Sequence, residues 1–122
     1  MTTTPAALAT QYFAMWNEAD ADRRAEIIEA AWSTDGTFVD PTFEVSGYEG
    51  LTKMVEAAQQ MFPGHAFSLT GEIQEHHNHL RWTWHLAATG QQPVAGGTDV
   101  VSLDADGKIQ QVVGFLDFAP AH

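Results

Sequence analysis

Apolar side chains recur with helical spacing through the first half of the chain and with a two-residue period through the second half. Leu8, Tyr12, Met15, Trp16 and Ala19 share one face, which predicts an amphipathic helix over 8–19. A second helix is expected from Asp20 or Asp22, an acidic N-cap, to Trp32, with Ile27, Ile28, Ala31 and Trp32 as its core side. Ser33-Thr34-Asp35-Gly36 should end it. Thr37-Phe38-Val39-Asp40 then reads as a short strand stopped by Pro41, which cannot donate to a ladder. Residues 41–47 read as a loop. A third helix is predicted from Gly47 or Tyr48 to Phe62, with Leu51, Met54, Val55, Ala58, Met61 and Phe62 inward and Pro63-Gly64 closing it.

From Ala66 onward Phe67, Leu69, Gly71 and Ile73 alternate with Ser68, Thr70 and Glu72, the pattern of a half-buried strand. His76-His77-Asn78-His79 marks a reversal. Leu80, Trp82, Trp84 and Leu86 then alternate with Arg81, Thr83 and His85, and Thr89 to Pro93 forms a loop. In Val94 to Phe118, two runs rich in β-branched residues flank Asp104-Ala105-Asp106-Gly107, whose Asp-Gly step suits a hairpin. Alternation in the first run puts Ala95, Gly97, Asp99, Val101 and Leu103 on one face, with Thr98, Val100 and Ser102 on the other. Helices first and strands afterwards imply an α+β fold, with a long antiparallel sheet curling around helices on one face. Its concave side would hold a pocket.

Two carboxylates break this pattern. Asp99 sits on a face otherwise made of small and aliphatic side chains, so it must be partnered, solvated in a cavity or held protonated. Arg81, His85 or a serine hydroxyl could pair with it across the sheet. Asp40 shares a face with Phe38; a cavity there would raise its pKa towards the range of a useful base. A turn aspartate satisfied by backbone N–H groups would look the same in sequence. Tyr12 can pack its ring beside Leu8 and Trp16 while its hydroxyl reaches the pocket, or can serve simply as core. The expected wall is Trp16, Phe38, Met54, Trp82, Trp84, Val101, Val112, Gly114 and Leu116, with Gly97 and Gly114 opening space.

A chain of 122 residues suits one domain, 1–122, with a single core. No run approaches the roughly 18 apolar residues of a membrane span. MTTTPAALAT lacks the basic and apolar regions of a signal peptide, and the absence of cysteine fits a reducing cytoplasm. Sixteen acidic against five basic residues give a net charge of −11, which disfavours nucleic acid, anionic membranes and highly charged anionic substrates. A neutral or weakly polar small molecule fits better. His76, His77 and His79 fall at a reversal where side chains splay, so a solvated turn is expected there and no metal. No phosphate loop, serine elbow or nucleotide fingerprint is present.

Together these features resemble the nuclear transport factor 2-like superfold, in the branch of SnoaL-like proteins and ketosteroid isomerases. Phe38-Val39-Asp40-Pro41 ahead of the third helix and the Asp99-Val-Val-x-Leu-Asp-x-Asp-Gly-Lys-Ile hairpin carry the resemblance. It implies a cone-shaped, curved antiparallel sheet wrapped around three helices, a cystatin-like α+β barrel, dimerising through the outer face of the sheet. By the same resemblance Asp40 would be the general base, with Tyr12 and Asp99 as oxyanion donors. Ketosteroid isomerase is the known case of such a carboxylic acid kept neutral by an apolar site. The implied chemistry is cofactor-independent proton abstraction alpha to a carbonyl, in an isomerase, polyketide cyclase or dehydratase. The implied ligand is a small apolar or weakly polar carbonyl compound. The alternative is a non-catalytic binding or dimerisation module of the same fold. An epoxide-hydrolase Asp-Arg-Asp arrangement is disfavoured, because Arg81 alternates away from Trp82 and Trp84.

Overall fold

The computed structural model describes residues 4–119: three helices packed against a curved six-stranded sheet that does not close. Helix α1 spans Pro5–Asn17 and starts earlier than the periodicity implies. Thr4 caps it by accepting from the Ala7 N–H at 3.1 Å, and Pro5 suits a first turn where its missing N–H costs nothing. It also ends earlier, leaving Ala19 exposed. Helix α2, Ala21–Ala31, is capped by Asp20, which accepts from the Arg23 N–H at 2.9 Å. Arg24 is buried, donating to the Glu18 and Ala19 carbonyls and to Gln59, and so ties the α1–α2 joint to the third helix.

Strand β1 covers Trp32–Val39, so Ser33-Thr34-Asp35-Gly36 is extended chain and not the expected helix stop. Its pairing with the last strand slips between Trp32 and Thr37, and this bulge lets Trp32 bury completely. Strand β2, Glu44–Ser46, lies in the stretch expected to be loop; three residues are too few to show a period. Helix α3, Gly47–Met61, buries Leu51, Met54, Val55 and Ala58, whereas Met61, expected inward, is 55% exposed. Strands β3 (His65–His76), β4 (His79–Ala88), β5 (Ala95–Leu103) and β6 (Ile109–Phe118) follow as a meander. His77 and Asn78 both take positive φ, as a two-residue hairpin turn requires. A register shift between Thr70 and Gln74, with Gly71 at φ +69°, interrupts the alternation expected along β3.

The sheet order is β2-β1-β6-β5-β4-β3. Every pair is antiparallel except β1–β6, which is parallel, correcting the wholly antiparallel expectation. No hairpin joins β1 to β6, so nothing local imposes antiparallel pairing on them. The core lies between the helices and the concave face, around Tyr12, Met15, Trp32, Leu51, Trp82 and Val101. Among the described residues, no helix is long and apolar enough to cross a membrane.

Candidate functional site

Strand register sets the site. Asp99 on β5 stands between Trp82 on β4 and Gly114 on β6, all facing the concave side. Helix α1 lays Tyr12 over this row. The Tyr12 hydroxyl donates to Asp99 Oδ2 at 2.9 Å, and the Trp82 indole N–H donates to the same oxygen at 3.2 Å. Asp99 is 3% exposed, and burial pushes its carboxyl up to about 6, with the Asp40 charge adding to the rise; the hydrogen bonds from Tyr12 and Trp82 hold it back. Burial, and then the Asp99 charge, push the Tyr12 phenol well above its ordinary value, so it remains a protonated donor near neutrality. The cross-sheet partners expected for Asp99 lie elsewhere: Arg81 pairs with Val100 and His85 with Gly96, on the convex face.

Asp40 follows β1 at the Pro41 turn. Its Oδ1 accepts from the backbone N–H groups of Thr42 at 2.8 Å and Phe43 at 2.7 Å. Asp40 is thus a turn aspartate satisfied by backbone N–H groups, and it also lines the cavity. Among the described residues no hydrogen bond reaches its Oδ2. Gly114 is the gap between the acids. A Cβ there would stand 2.9 Å from Asp99 Oδ1 and 3.2 Å from Asp40 Cβ.

The cavity has a volume of about 350 Å³, and its lining includes Tyr12, Trp16, Phe38, Asp40, Trp84, Asp99, Gly114 and Leu116 from the expected set. Met54, Trp82, Val101 and Val112 do not line it; they lie in the fully packed core. Val101 and Val112 form the next inward-facing pair toward the Asp104 turn, where the helices close over the sheet. Trp82 sits behind the wall against Tyr12 and Phe13, acting on the site through its N–H. Gly97 opens room for a ring and not for ligand: a Cβ would meet Trp84 Cζ2 at 2.7 Å. Phe13, Phe43, Phe62, Phe67 and Leu86 also line the cavity but were absent from the expected wall. Phe67 and Leu86 pair directly beside Trp84, so strand alternation carried a signal for them; Phe43, in a turn, had none.

At the β3–β4 turn, the Nδ1 atoms of His76 and His77 are 3.2 Å apart, and His79 Nδ1 is 3.1 Å from Ser102 Oγ, all three rings being exposed. Among the described residues, no three histidine, aspartate or glutamate side chains gather as a metal site would need.

A curved sheet closed over by three helices, with acids at the base of an apolar hollow, defines a class of pocket-bearing α+β proteins. Within it, the chain belongs to the SnoaL-like domain family, whose sequence profile matches residues 9–112. It is 45% identical to a SnoaL-like family protein of Agrobacterium tumefaciens, provisionally called an isomerase, over 90% of this chain and 94% of that one, with a TM-score of 0.86. A protein of Kribbella flavida provisionally called a ketosteroid isomerase shares the fold at 19% identity and TM-score 0.67, covering 95% of this chain and 79% of that one. So does a protein of Sinorhizobium meliloti provisionally called a polyketide cyclase, at 16% identity and TM-score 0.68, over 88% of this chain and 92% of that one. No curated protein matches the chain.

Proposed function

We propose that the protein is a cofactor-independent acid–base enzyme acting on a small carbonyl compound held in the apolar cavity. The observation that carries this reading is the Tyr12–Asp99 hydrogen bond, buried beside Asp40 in a hollow walled by aromatic rings. Asp40 Oδ2 takes a proton from the carbon alpha to the carbonyl. The electron pair moves to the carbonyl oxygen, which accepts a hydrogen bond from protonated Asp99 and one from the Tyr12 hydroxyl, whose proton turns to it from Asp99 Oδ2. Asp40 then returns the proton to another carbon, giving the isomer, or the enolate attacks a second carbonyl within the ligand and closes a ring, the proton on Asp40 passing to the new alkoxide oxygen. With its carboxyl at about 6, Asp99 still carries its proton in a fraction of molecules near neutrality, and a ligand that excludes water favours that form.

The test is isomerisation of β,γ-unsaturated cyclic ketones, followed by absorbance of the conjugated product, with phenols as enolate mimics. Asp40→Asn should cut turnover at least about 100-fold while leaving phenol binding in place. Turnover should fall as pH rises through about 6, and Asp99→Asn should remove that limb. Turnover that survives Asp40→Asn would rule out the base. The second reading is a passive binding module, in which Asp40 serves only the Pro41 turn through its bonds to the Thr42 and Phe43 N–H groups. Phenol affinity indifferent to both Tyr12→Phe and Asp99→Leu would select it. We also propose that two copies pair through the convex face of β5 and β6, where Val100, Phe115 and Phe118 stand exposed.

A further inference from the structure

Asp40 and Asp99 flank Gly114, and among the described residues no lysine, arginine or histidine lines the cavity. A buried carboxylate without a counter-ion is costly, and among the described residues the hydrogen-bond donors to Asp99, Tyr12 and Trp82, are neutral. The wall beside the acids is aromatic. Phe38 Cζ lies 3.9 Å from the place a Gly114 Cβ would take. Trp16 touches Phe38 and Phe67 at ring-centre distances of 5.6 and 4.9 Å, and Phe67 meets Trp84 at 5.3 Å, so the rings form one continuous run. Aromatic π systems attract cations, most strongly where water is excluded. The net charge of −11 adds a field that gathers cations and repels anions.

We propose that the cavity takes an organic cation, its tertiary or quaternary ammonium group seated against Asp40, Asp99 and Phe38, its apolar part along Trp16, Phe67 and Trp84. The inference rests on this cavity being the ligand site of the acid–base reading, but not on turnover. It adds a basic or permanently charged nitrogen to the carbonyl compound. Above about pH 6, where Asp99 is ionised, a neutral ligand of the same shape would leave both carboxylates without a counter-ion, whereas an ammonium supplies one while keeping its alkyl groups on the rings.

The experiment titrates the full chain with choline and with its uncharged carbon isostere, a tert-butyl group replacing trimethylammonium. Trp16 and Trp84 in the wall make intrinsic fluorescence the readout. At pH about 8, choline should bind about tenfold more tightly or better. Among the described residues that line the cavity, the titratable groups beside Asp99 are Asp40 and Tyr12. Tyr12 does not ionise in this range, so the preference should shrink as pH falls below about 6. Asp99→Asn and Asp40→Asn should each reduce it to about threefold or less, with near-ultraviolet circular dichroism confirming that each variant is folded. Equal binding of the two probes, no binding of choline, or a preference that survives both substitutions would overturn the proposal. Phenol binding and turnover without cation preference would sink this inference and leave the acid–base reading standing. Cation preference without turnover would do the reverse.

Discussion

Asp99 is where burial and chemistry oppose each other. Its carboxyl keeps its proton up to about 6 in the fold, against an ordinary 3.8, so between these values the folded chain binds more protons than the unfolded one. Stability attributable to this group therefore falls as pH rises across that window, and above it a penalty of about 3 kcal/mol remains in full. Asp99→Asn keeps an acceptor oxygen for Tyr12 and Trp82 but removes the buried charge. The variant should melt above the parent at pH about 8, and the gap should close below about pH 4. Thermal melts by circular dichroism across that range check it; a variant less stable at every pH would show the carboxylate to be stabilising. The residue was conspicuous in sequence because it interrupts an apolar face. Its donors were not, since Tyr12 lies 87 positions away along the chain and Trp82 meets it only through the β4–β5 register.

The β5–β6 hairpin shows how a turn fixes an element. Asp104 Oδ1 accepts from the N–H groups of Asp106 at 2.8 Å and Lys108 at 2.9 Å, while its Oδ2 bonds to the Ser33 hydroxyl. One side chain thus closes the turn and joins it to β1. The Ser33 hydroxyl, followed by those backbone donors, holds the carboxyl below its ordinary value. That contribution is present at neutral pH and lost as pH falls through the lowered pKa. Asp104→Ala should cost about 1–3 kcal/mol, read from denaturant unfolding at neutral pH, and little once the carboxyl is protonated. Gly97→Ala should cost a similar amount, because its Cβ would lie 2.4 Å from the Phe115 carbonyl oxygen and 2.7 Å from the Trp84 ring. The Asp-Gly turn and the alternation around it were legible locally. The tie to Ser33, the parallel β1–β6 pairing and the three-residue β2 were not, because each is set by chain segments far apart or too short to show a period.

At the scale of the molecule, a charge of −11 on 122 residues repels itself, and only five basic side chains offset it. One of these, Arg24, is buried in the α1–α2 joint. Raising the salt concentration from about 0.02 to about 0.3 M should therefore raise the melting temperature, as screening weakens that repulsion. The proposed dimer has its own readout. Sedimentation should give twice the 13.3 kDa chain mass, and Phe115→Asp, on the exposed convex face, should return it to one.

The order of the three helices and of the strands other than β2, the odd acids at 40 and 99, the Asp-Gly hairpin and the net charge were determined by sequence alone, because each is written in local spacing or composition. Tertiary structure alone decided that Tyr12 and Trp82 share one oxygen of Asp99, that Gly114 parts the acids, and that Trp84 walls the hollow while Trp82 backs it. Those facts depend on strand register and on how α1 crosses the sheet. A one-residue slip in register would send every side chain to the opposite face while leaving the periodicity of the chain unchanged.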